Sequence, residues 1–282
     1  MGLAFAAMWS SAFTSARIIV AAAPPLLALG LRFLISGLLA VAVARLMGQS
    51  WRLTRPQWRA TVIFGVCQNA LYLGLNFVAM QRVEASVAAI IASTMPLLVA
   101  LASWLLLGER MRRLGIAGLV AGFAGVAIIM GARLDGAGTG PAIALCVGGV
   151  LALTAATLAV RGAISGGNFL MVVGLQMLVG SAVLLPVSLA VERIEVTWSG
   201  ALVAAFAYTT LVPGLMATLA WFWLVNRIGA LRAATFHFLN PFLGVAIAAL
   251  VLGEALGARD ILGVAVIAGG ILAVQLARFD RK

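Results

Sequence analysis

Polar side chains occur inside stretches that are otherwise apolar, and their spacing places several of them on shared helix faces. Asn69, Tyr72 and Asn76 follow one another at i, i+3 and i+7 within a run of mostly Leu, Val and Ala, which puts them on one face of a helix. His237 and Asn240 form a second such pair, and His237 is the only histidine. These faces predict the lining of a cavity that binds a small molecule, while hydrogen bonding between packed helices is the alternative.

Aromatic side chains form a second candidate set. Trp9, Tyr208 and Trp221 lie in apolar stretches, where their rings could stack on a flat or cationic substrate. The alternative is that they belong to the belt of aromatic residues at the membrane interface.

Three roles are open for His237. Its imidazole could contact a polar substrate or take part in proton coupling. The third possibility is a buried histidine paired with a neighbouring backbone group.

Two arginines, Arg17 and Arg32, interrupt apolar stretches near the start of the chain. Arg32 has mostly apolar neighbours in the sequence. Its guanidinium could bind a substrate carboxylate through two parallel hydrogen bonds, or it could tie two helices together through backbone carbonyls.

Prolines and glutamates at helix interiors and ends suggest structural roles. Pro96, Pro186, Pro213 and Pro241 each remove a backbone hydrogen bond and can kink a helix, and Pro96, Pro213 and Pro241 are the candidate hinges. Glu109 and Glu254 each follow a glycine at the end of an apolar stretch. We expect their carboxylates to accept hydrogen bonds from N–H groups at the start of the next helix, where negative charge is favourable.

The elements that must position these residues are membrane-spanning helices. Of the 282 residues, 64% are hydrophobic and 10% are charged, whereas soluble domains carry about 25% charged residues. A helix that crosses a bilayer needs about 20 apolar residues. The sequence therefore predicts an all-α polytopic membrane protein with ten spans, at 2–21, 25–46, 57–80, 85–107, 113–132, 141–160, 168–190, 198–225, 230–252 and 258–278.

Basic residues are concentrated in the links on one side of these spans. The net charge of +11 is spread over short links, which argues against nucleic-acid binding and follows the positive-inside rule. With a cytoplasmic N-terminus, thirteen Lys and Arg residues are cytoplasmic: Arg45, Arg52, Arg55, Arg59, Arg110, Arg112, Arg113, Arg161, Arg227, Arg232, Arg278, Arg281 and Lys282. Only four, Arg82, Arg133, Arg193 and Arg259, are on the other side. We therefore expect both termini to be cytoplasmic.

The chain contains an internal repeat. A shift of 145 residues aligns Pro96 with Pro241 and Gly108-Glu109 with Gly253-Glu254. We predict two repeats, 1–133 and 137–282, of five helices each. Because five is odd, the second repeat enters the membrane from the opposite side, an inverted arrangement typical of secondary transporters. Glycine-rich faces in the spans 113–132 and 258–278 predict close helix packing, within the chain or in a weak homodimer.

Several functional classes lack their sequence signals here. No phosphate-binding glycine loop is present, so ATP is not expected to drive the protein. No Cys/His cluster indicates a metal, and no catalytic pair is recognisable. We expect no enzyme activity, no cofactor and no metal. No pair of carboxylates lies within the spans, which argues against a proton antiporter for cations.

The combined motifs resemble a known family. Trp9-Ser10, Arg32-Phe33 and the paired Pro96/Gly108-Glu109 and Pro241/Gly253-Glu254 patterns are similar to the drug/metabolite transporter superfamily, and more narrowly to its EamA branch. The resemblance adds Ser10 to the candidate substrate-binding residues and favours the structural role for Arg32, which the pattern keeps beside the first turn between helices.

Within that branch the chain is similar to bacterial inner-membrane exporters of amino acids, aromatic ones among them. This implies the EamA fold and export of neutral amino acids and related metabolites, by alternating access through a central cavity, in a monomer or weak homodimer. The alternatives are transport of another metabolite or a drug cation, and, less favoured, a channel.

Overall fold

Ten apolar helices make up the protein in a computed structural model that describes residues 1–131, 139–159 and 168–279. No strand occurs in these ranges. The helices are α1 (Gly2–Val20), α2 (Pro25–Leu46), α3 (Arg55–Ala79), α4 (Ala85–Leu106), α5 (Arg113–Gly131), α6 (Thr139–Ala159), α7 (Phe169–Val191), α8 (200–228), α9 (230–252) and α10 (Ala258–Phe279). Nine of these described helices contain a span long and apolar enough to cross a membrane, and α9 contains the shorter apolar helix Phe236–Leu252. The prediction of an all-α polytopic protein with ten helices is confirmed.

Some of the predicted features fall outside the described ranges. The repeat boundaries at 133 and 137 and four of the counted basic residues, Arg133, Arg161, Arg281 and Lys282, belong to this group.

Helix ends coincide with the local signals that stop and start helices. Pro25 occupies the first turn of α2, where its missing N–H costs nothing. Thr54 and Gln57 form a reciprocal capping box at the start of α3. Gly253 ends α9 with φ of +69°, a backbone conformation that glycine adopts without strain.

Four helices are irregular in their interiors. Wider π-helical turns occupy Gly65–Leu73 in α3 and Thr210–Met216 in α8, and the second contains Pro213. A 3₁₀ turn at Phe236–Leu239 precedes Pro241 in α9, and α4 is interrupted at Thr94, just before Pro96. A proline cannot donate to the helix ladder and clashes with the preceding turn, so three of the four irregularities lie where prolines fall.

Three pairs of helices related by the 145-residue repeat, α2 with α7, α4 with α9 and α5 with α10, pack against each other in opposite directions. The start of α2 contacts the end of α7, and Ser181 Oγ donates to the Gly30 carbonyl between them at 2.9 Å. The contacts of α1 with α8 and α9 have counterparts in those of α6 with α3 and α4. The antiparallel packing of these pairs is in line with the predicted inverted repeat.

The glycine faces of α5 and α10 pack on each other within the chain. A Cβ at Gly118 would lie 2.7 Å from the Gly270 carbonyl oxygen, and one at Gly125 would lie 2.8 Å from that of Gly263. The backbones approach so closely that no side chain fits between them. Of the two uses expected for these faces, the structure shows packing within the chain.

Polar side chains beyond the end of one helix bind the start of a helix in the other half. Both carboxylate oxygens of Glu192, after α7, accept hydrogen bonds from the N–H groups of Leu26 and Leu27 at 2.8 and 2.9 Å. At the opposite end of the same pair, Gln49 Oε1 accepts from the Met171 N–H at 3.0 Å. These bonds satisfy N–H groups that helices leave unpaired at their first turn.

Glu254 has the expected chemistry but a different partner. It was expected to bind the start of the next helix, α10, whereas its carboxylate accepts from the N–H groups of Ala85 and Ser86 in α4, at 2.8 and 3.0 Å. The reason is that α4 and α9 are antiparallel, which places the start of α4 beside the end of α9. Glu109 occupies the equivalent position after α4.

Candidate functional site

A cavity of about 300 Å³ lies between the two halves of the chain. Its walls come from α1, α2, α3, α4, α6, α8 and α9, and they are mostly apolar. Five of the nine predicted substrate-binding residues line it: Trp9, Tyr72, Asn76, Trp221 and His237. Ligand pockets typically measure about 300–1,000 Å³ and combine an apolar lining with a few placed polar groups.

An aromatic cluster forms one wall of this cavity. The rings of Phe5 and Trp221 are 5.1 Å apart, and Trp221 lies 5.2 Å from the ring of His237. Trp9 stands nearly perpendicular to the His237 ring at 6.1 Å. These separations fall within the range in which aromatic pairs attract one another, so α1, α8 and α9 jointly hold the wall.

Hydrogen bonds fix the orientation of the histidine. Asn240 Nδ2 lies 2.9 Å from His237 Nδ1, and Ser10 Oγ lies 3.4 Å from Asn240 Oδ1. Because the amide nitrogen donates, Nδ1 accepts, and the remaining proton of a neutral ring is on Nε2. Ser10 and Asn240 themselves line a small adjoining space of about 30 Å³. Asn240 therefore orients the His237 ring through a hydrogen bond, and Ser10 orients Asn240.

The three polar residues of α3 divide between two roles. Tyr72 and Asn76 line the cavity, and Asn76 Nδ2 donates to the Tyr72 carbonyl at 2.7 Å. Asn69 is turned to α7, where its Nδ2 donates to the Gln176 carbonyl at 2.9 Å. The wider π turn over Gly65–Leu73 explains the difference, because the i, i+3, i+7 spacing assumes regular α-helical turns.

A second chamber of about 250 Å³ adjoins the cavity and shares Trp9, Phe64, Gln68 and Trp221 with it. Asn69 and Gln176 line this chamber as well. Gln68 and Gln176 were not among the predicted site residues. The available signal was the one used for Asn69, a polar side chain inside an apolar span.

Tyr208 lies away from the cavity. Its hydroxyl is 2.9 Å from Ser11 Oγ, and its side chain is 40% exposed on the outer surface of the bundle. The contact joins α8 to α1. A tyrosine in an apolar stretch fits a cavity wall and a helix contact equally well, since the sequence does not give the rotation of the helix about its axis.

Some of the residues expected to be structural lie at helix breaks, and others lie at the cavity wall. Pro96 and Pro241 lie in the first turns of the regular helices that follow the breaks in α4 and α9. Pro213 and Arg32 line the cavity itself. Arg32 is buried at 5% exposure, with its guanidinium carbon 5.1 Å from the centre of the Phe33 ring.

The chain belongs to the EamA-like transporter family, which matches residues 1–131 and 140–276. The resemblance found in the sequence motifs is thereby confirmed. The protein is a multi-pass membrane transporter of this family, and since its relatives are transporters, the prediction that it is no enzyme is confirmed as well.

Individual relatives extend the comparison. The transporter YvbV of Bacillus subtilis (strain 168) is 28% identical over 269 residues, covering 95% of this chain and 88% of that protein. The inner membrane transporter YedA of Escherichia coli (strain K12) is 28% identical over 280 residues, covering 96% and 88%. The aromatic amino acid exporter YddG of Ancylobacter novellus is 33% identical over 120 residues, covering 43% and 42%.

A solved crystal structure has the same fold. It aligns with 100% of this chain and 97% of its own, with a TM-score of 0.70 at 23% identity.

Proposed function

We propose that the protein is a secondary transporter that exports neutral amino acids, aromatic ones among them, and related small metabolites. Transport proceeds by alternating access through the cavity between the halves. The protein resides in a bacterial inner membrane with both termini in the cytoplasm, in line with the thirteen-to-four distribution of basic residues and the inner-membrane location in the name of YedA.

The observation that carries this proposal is the composition of the cavity. It combines the aromatic wall of Trp9, Trp221 and His237 with the polar side chains of Tyr72 and Asn76. An amino acid needs both, because its side chain is flat or apolar and its backbone end is polar. The volume of about 300 Å³ suits a ligand of this size rather than a large drug. The exporter YddG, similar over 43% of this chain, acts on aromatic amino acids according to its name.

The antiparallel packing of equivalent helices supports alternating access. Inverted repeats let one half rock against the other around a fixed site near the membrane midplane. The π turns of α3 and α8 and the 3₁₀ turn of α9 lie in helices that line the cavity, and irregular turns of this kind often occur at functional hinges.

Two alternatives remain in the same fold. Transport of a drug cation is disfavoured because no carboxylate lines the described cavity or the adjoining chamber. A channel is disfavoured because no ring of charged groups or backbone carbonyls, which selectivity filters use, lines these spaces among the described residues.

The test is flux in liposomes that contain the purified protein. Uptake of radiolabelled phenylalanine, methionine and threonine is expected to saturate, and each amino acid is expected to compete with the others. Repeating the assay with and without a pH gradient separates proton coupling from facilitated diffusion.

Two tyrosines provide a matched comparison, as they are the only ones in the chain. Tyr72→Phe, at the cavity wall, is expected to raise the KM for phenylalanine several-fold, since a polar contact contributes about 0.5–1.5 kcal/mol. Tyr208→Phe, which removes the contact to Ser11, should leave KM unchanged. If folded, monodisperse protein moves no amino acid, the proposed substrate class is wrong.

A further inference from the structure

Arg32 is a buried cation without a hydrogen-bonding partner. Its side chain is 5% exposed, its Nε has no acceptor, and among the described residues no hydrogen bond or ion pair to its guanidinium is found. Its described contact is with the face of the neighbouring Phe33 ring, 5.1 Å from the guanidinium carbon. Burying a charge in this way is costly unless a partner is supplied.

A second arginine shows what a structural role looks like in this protein. Arg17, in α1, donates from Nη1 to the Met80 carbonyl at the end of α3. That bond ties two helices together. Arg32 makes no such bond, although it is the more deeply buried of the two. A tie between helices therefore does not explain Arg32.

The lining of the cavity offers no counter-ion. Arg32 is the only charged side chain among the described residues that line the cavity and the adjoining chamber. The described acidic residues, Glu84, Glu109, Glu192, Glu195, Glu254 and Asp260, all lie at or beyond helix ends. Glu192 and Glu254 already accept backbone N–H groups there.

The guanidinium lies against the π turn of α8. A Cβ at Gly214, in that turn, would lie 3.5 Å from Arg32 Nη2, which is an ordinary van der Waals contact. The neighbouring Pro213 lines the cavity beside it. The arginine thus reaches the cavity at the point where α8 departs from regular geometry.

We propose that Arg32 is the carboxylate receptor of the cavity, and that the transported ligand supplies the missing counter-ion. A guanidinium presents a planar fork of donors that matches a carboxylate through two parallel hydrogen bonds, and it keeps its charge throughout the physiological range of pH. This inference rests on the proposed transport function and narrows it to substrates that carry a carboxylate, of which amino acids are one class.

The first experiment uses the unmodified protein and matched pairs of probes. L-phenylalanine is compared with L-phenylalaninamide, and 3-phenylpropanoate with 3-phenylpropanamide, by ligand-dependent thermal unfolding of the purified full chain. The acid of each pair is expected to bind at least about tenfold more tightly than its amide, because hydrogen bonds to charged groups are the stronger ones. Equal affinity of acid and amide in both pairs would overturn the proposal.

The second experiment assigns the preference to Arg32. Arg32→Gln is expected to reduce the ratio of acid to amide affinity to about one, and Arg32→Lys to restore part of it, since lysine keeps the charge without the fork. Arg17→Gln is the matched control and should keep the full ratio. An undiminished ratio in folded, monodisperse Arg32→Gln also contradicts the proposal.

The two pairs separate this inference from the proposed function. If phenylalanine neither binds nor moves while 3-phenylpropanoate still binds more tightly than its amide, Arg32 is a carboxylate receptor in a transporter of organic acids. If the protein transports phenylalanine but phenylalaninamide competes with it equally well, amino-acid transport stands and the proposed role of Arg32 as a carboxylate receptor is wrong. If neither acid binds to folded protein, both proposals fail.

Discussion

Four of the helices that line the cavity, α3, α4, α8 and α9, differ in backbone geometry from the α5–α10 pair. α5 and α10 are regular, and none of their described residues lines the cavity or the adjoining chamber. By contrast, α3, α8 and α9 carry π or 3₁₀ turns and contribute Tyr72, Trp221 and His237 to the cavity. Regular helices with small residues can approach backbone to backbone, whereas an irregular turn redirects side chains and leaves room between helices. The α5–α10 pair is therefore tightly packed, whereas the irregular helices α3, α8 and α9 leave space between them for a ligand.

The largest expected effect tests the tightly packed α5–α10 pair. Gly270→Val places a Cβ 2.6 Å from the Gly118 carbonyl oxygen and from the Gly122 nitrogen, contacts that only a backbone shift can relieve. Overpacking usually costs about 1–3 kcal/mol, and we expect the upper end or more here. Thermal unfolding in detergent measures the loss. Gly269→Val is the matched control, because no atom lies within 4 Å of a Cβ at that neighbouring position. Similar losses in both variants would contradict the packing described for α5 and α10.

A smaller effect concerns the ends of the irregular helices. Glu254→Gln weakens the two hydrogen bonds from Ala85 and Ser86 that join the end of α9 to the start of α4. Capping groups and charges at a helix start contribute about 0.5–2 kcal/mol, so the unfolding midpoint should fall modestly. Glu195→Gln, in an exposed link, should leave the midpoint unchanged. Equal midpoints for the two variants would mean that this bond contributes no stability.

The smallest effect is expected at the cavity wall, and it is an effect on transport. Trp221→Ala removes a ring that contacts Phe5 and His237 at 5.1 and 5.2 Å. Aromatic contacts contribute about 0.5–1.5 kcal/mol beyond simple burial, so the KM for phenylalanine should rise roughly three- to tenfold while the protein stays folded. Trp198→Ala, at an exposed tryptophan, should change neither. An unchanged KM in Trp221→Ala would remove the aromatic wall from the proposed site.

The helices were predictable because each apolar run is long enough to define a span by itself. All ten predicted spans correspond to helices with boundaries that differ by a few residues, since hydropathy is read directly from the residues. The irregular turns were predictable only in part. Prolines indicated breaks near positions 96, 213 and 241, but α7 continues through Pro186 without a break, and the π turn in α3 contains no proline.

The candidate site was harder to predict because it depends on helix rotation. Asn69 and Tyr208 have the right residue types, yet one contacts the backbone of α7 and the other contacts Ser11. Arg32 was expected to be structural, and it lines the cavity. Whether a polar side chain faces a cavity or a neighbouring helix depends on the packing of distant segments, which a single sequence does not specify. The carboxylate of Glu254 illustrates the same limit, because its chemistry was local but its partner was 169 residues away.

The hydrogen bonds at the two ends of the α2–α7 pair have a mechanical consequence. Glu192 fastens the start of α2 to the end of α7, and Gln49 fastens the start of α7 to the end of α2. Ser181 also donates to the Gly30 carbonyl between these two ends. We therefore expect α2 and α7 to stay together as one rigid unit while other helices move around it. Arg32 belongs to this rigid pair, whereas Trp221 and His237 belong to helices outside it. A ligand whose carboxylate is bound to Arg32 would then stay in position, while the helices that carry Trp221 and His237 move relative to it.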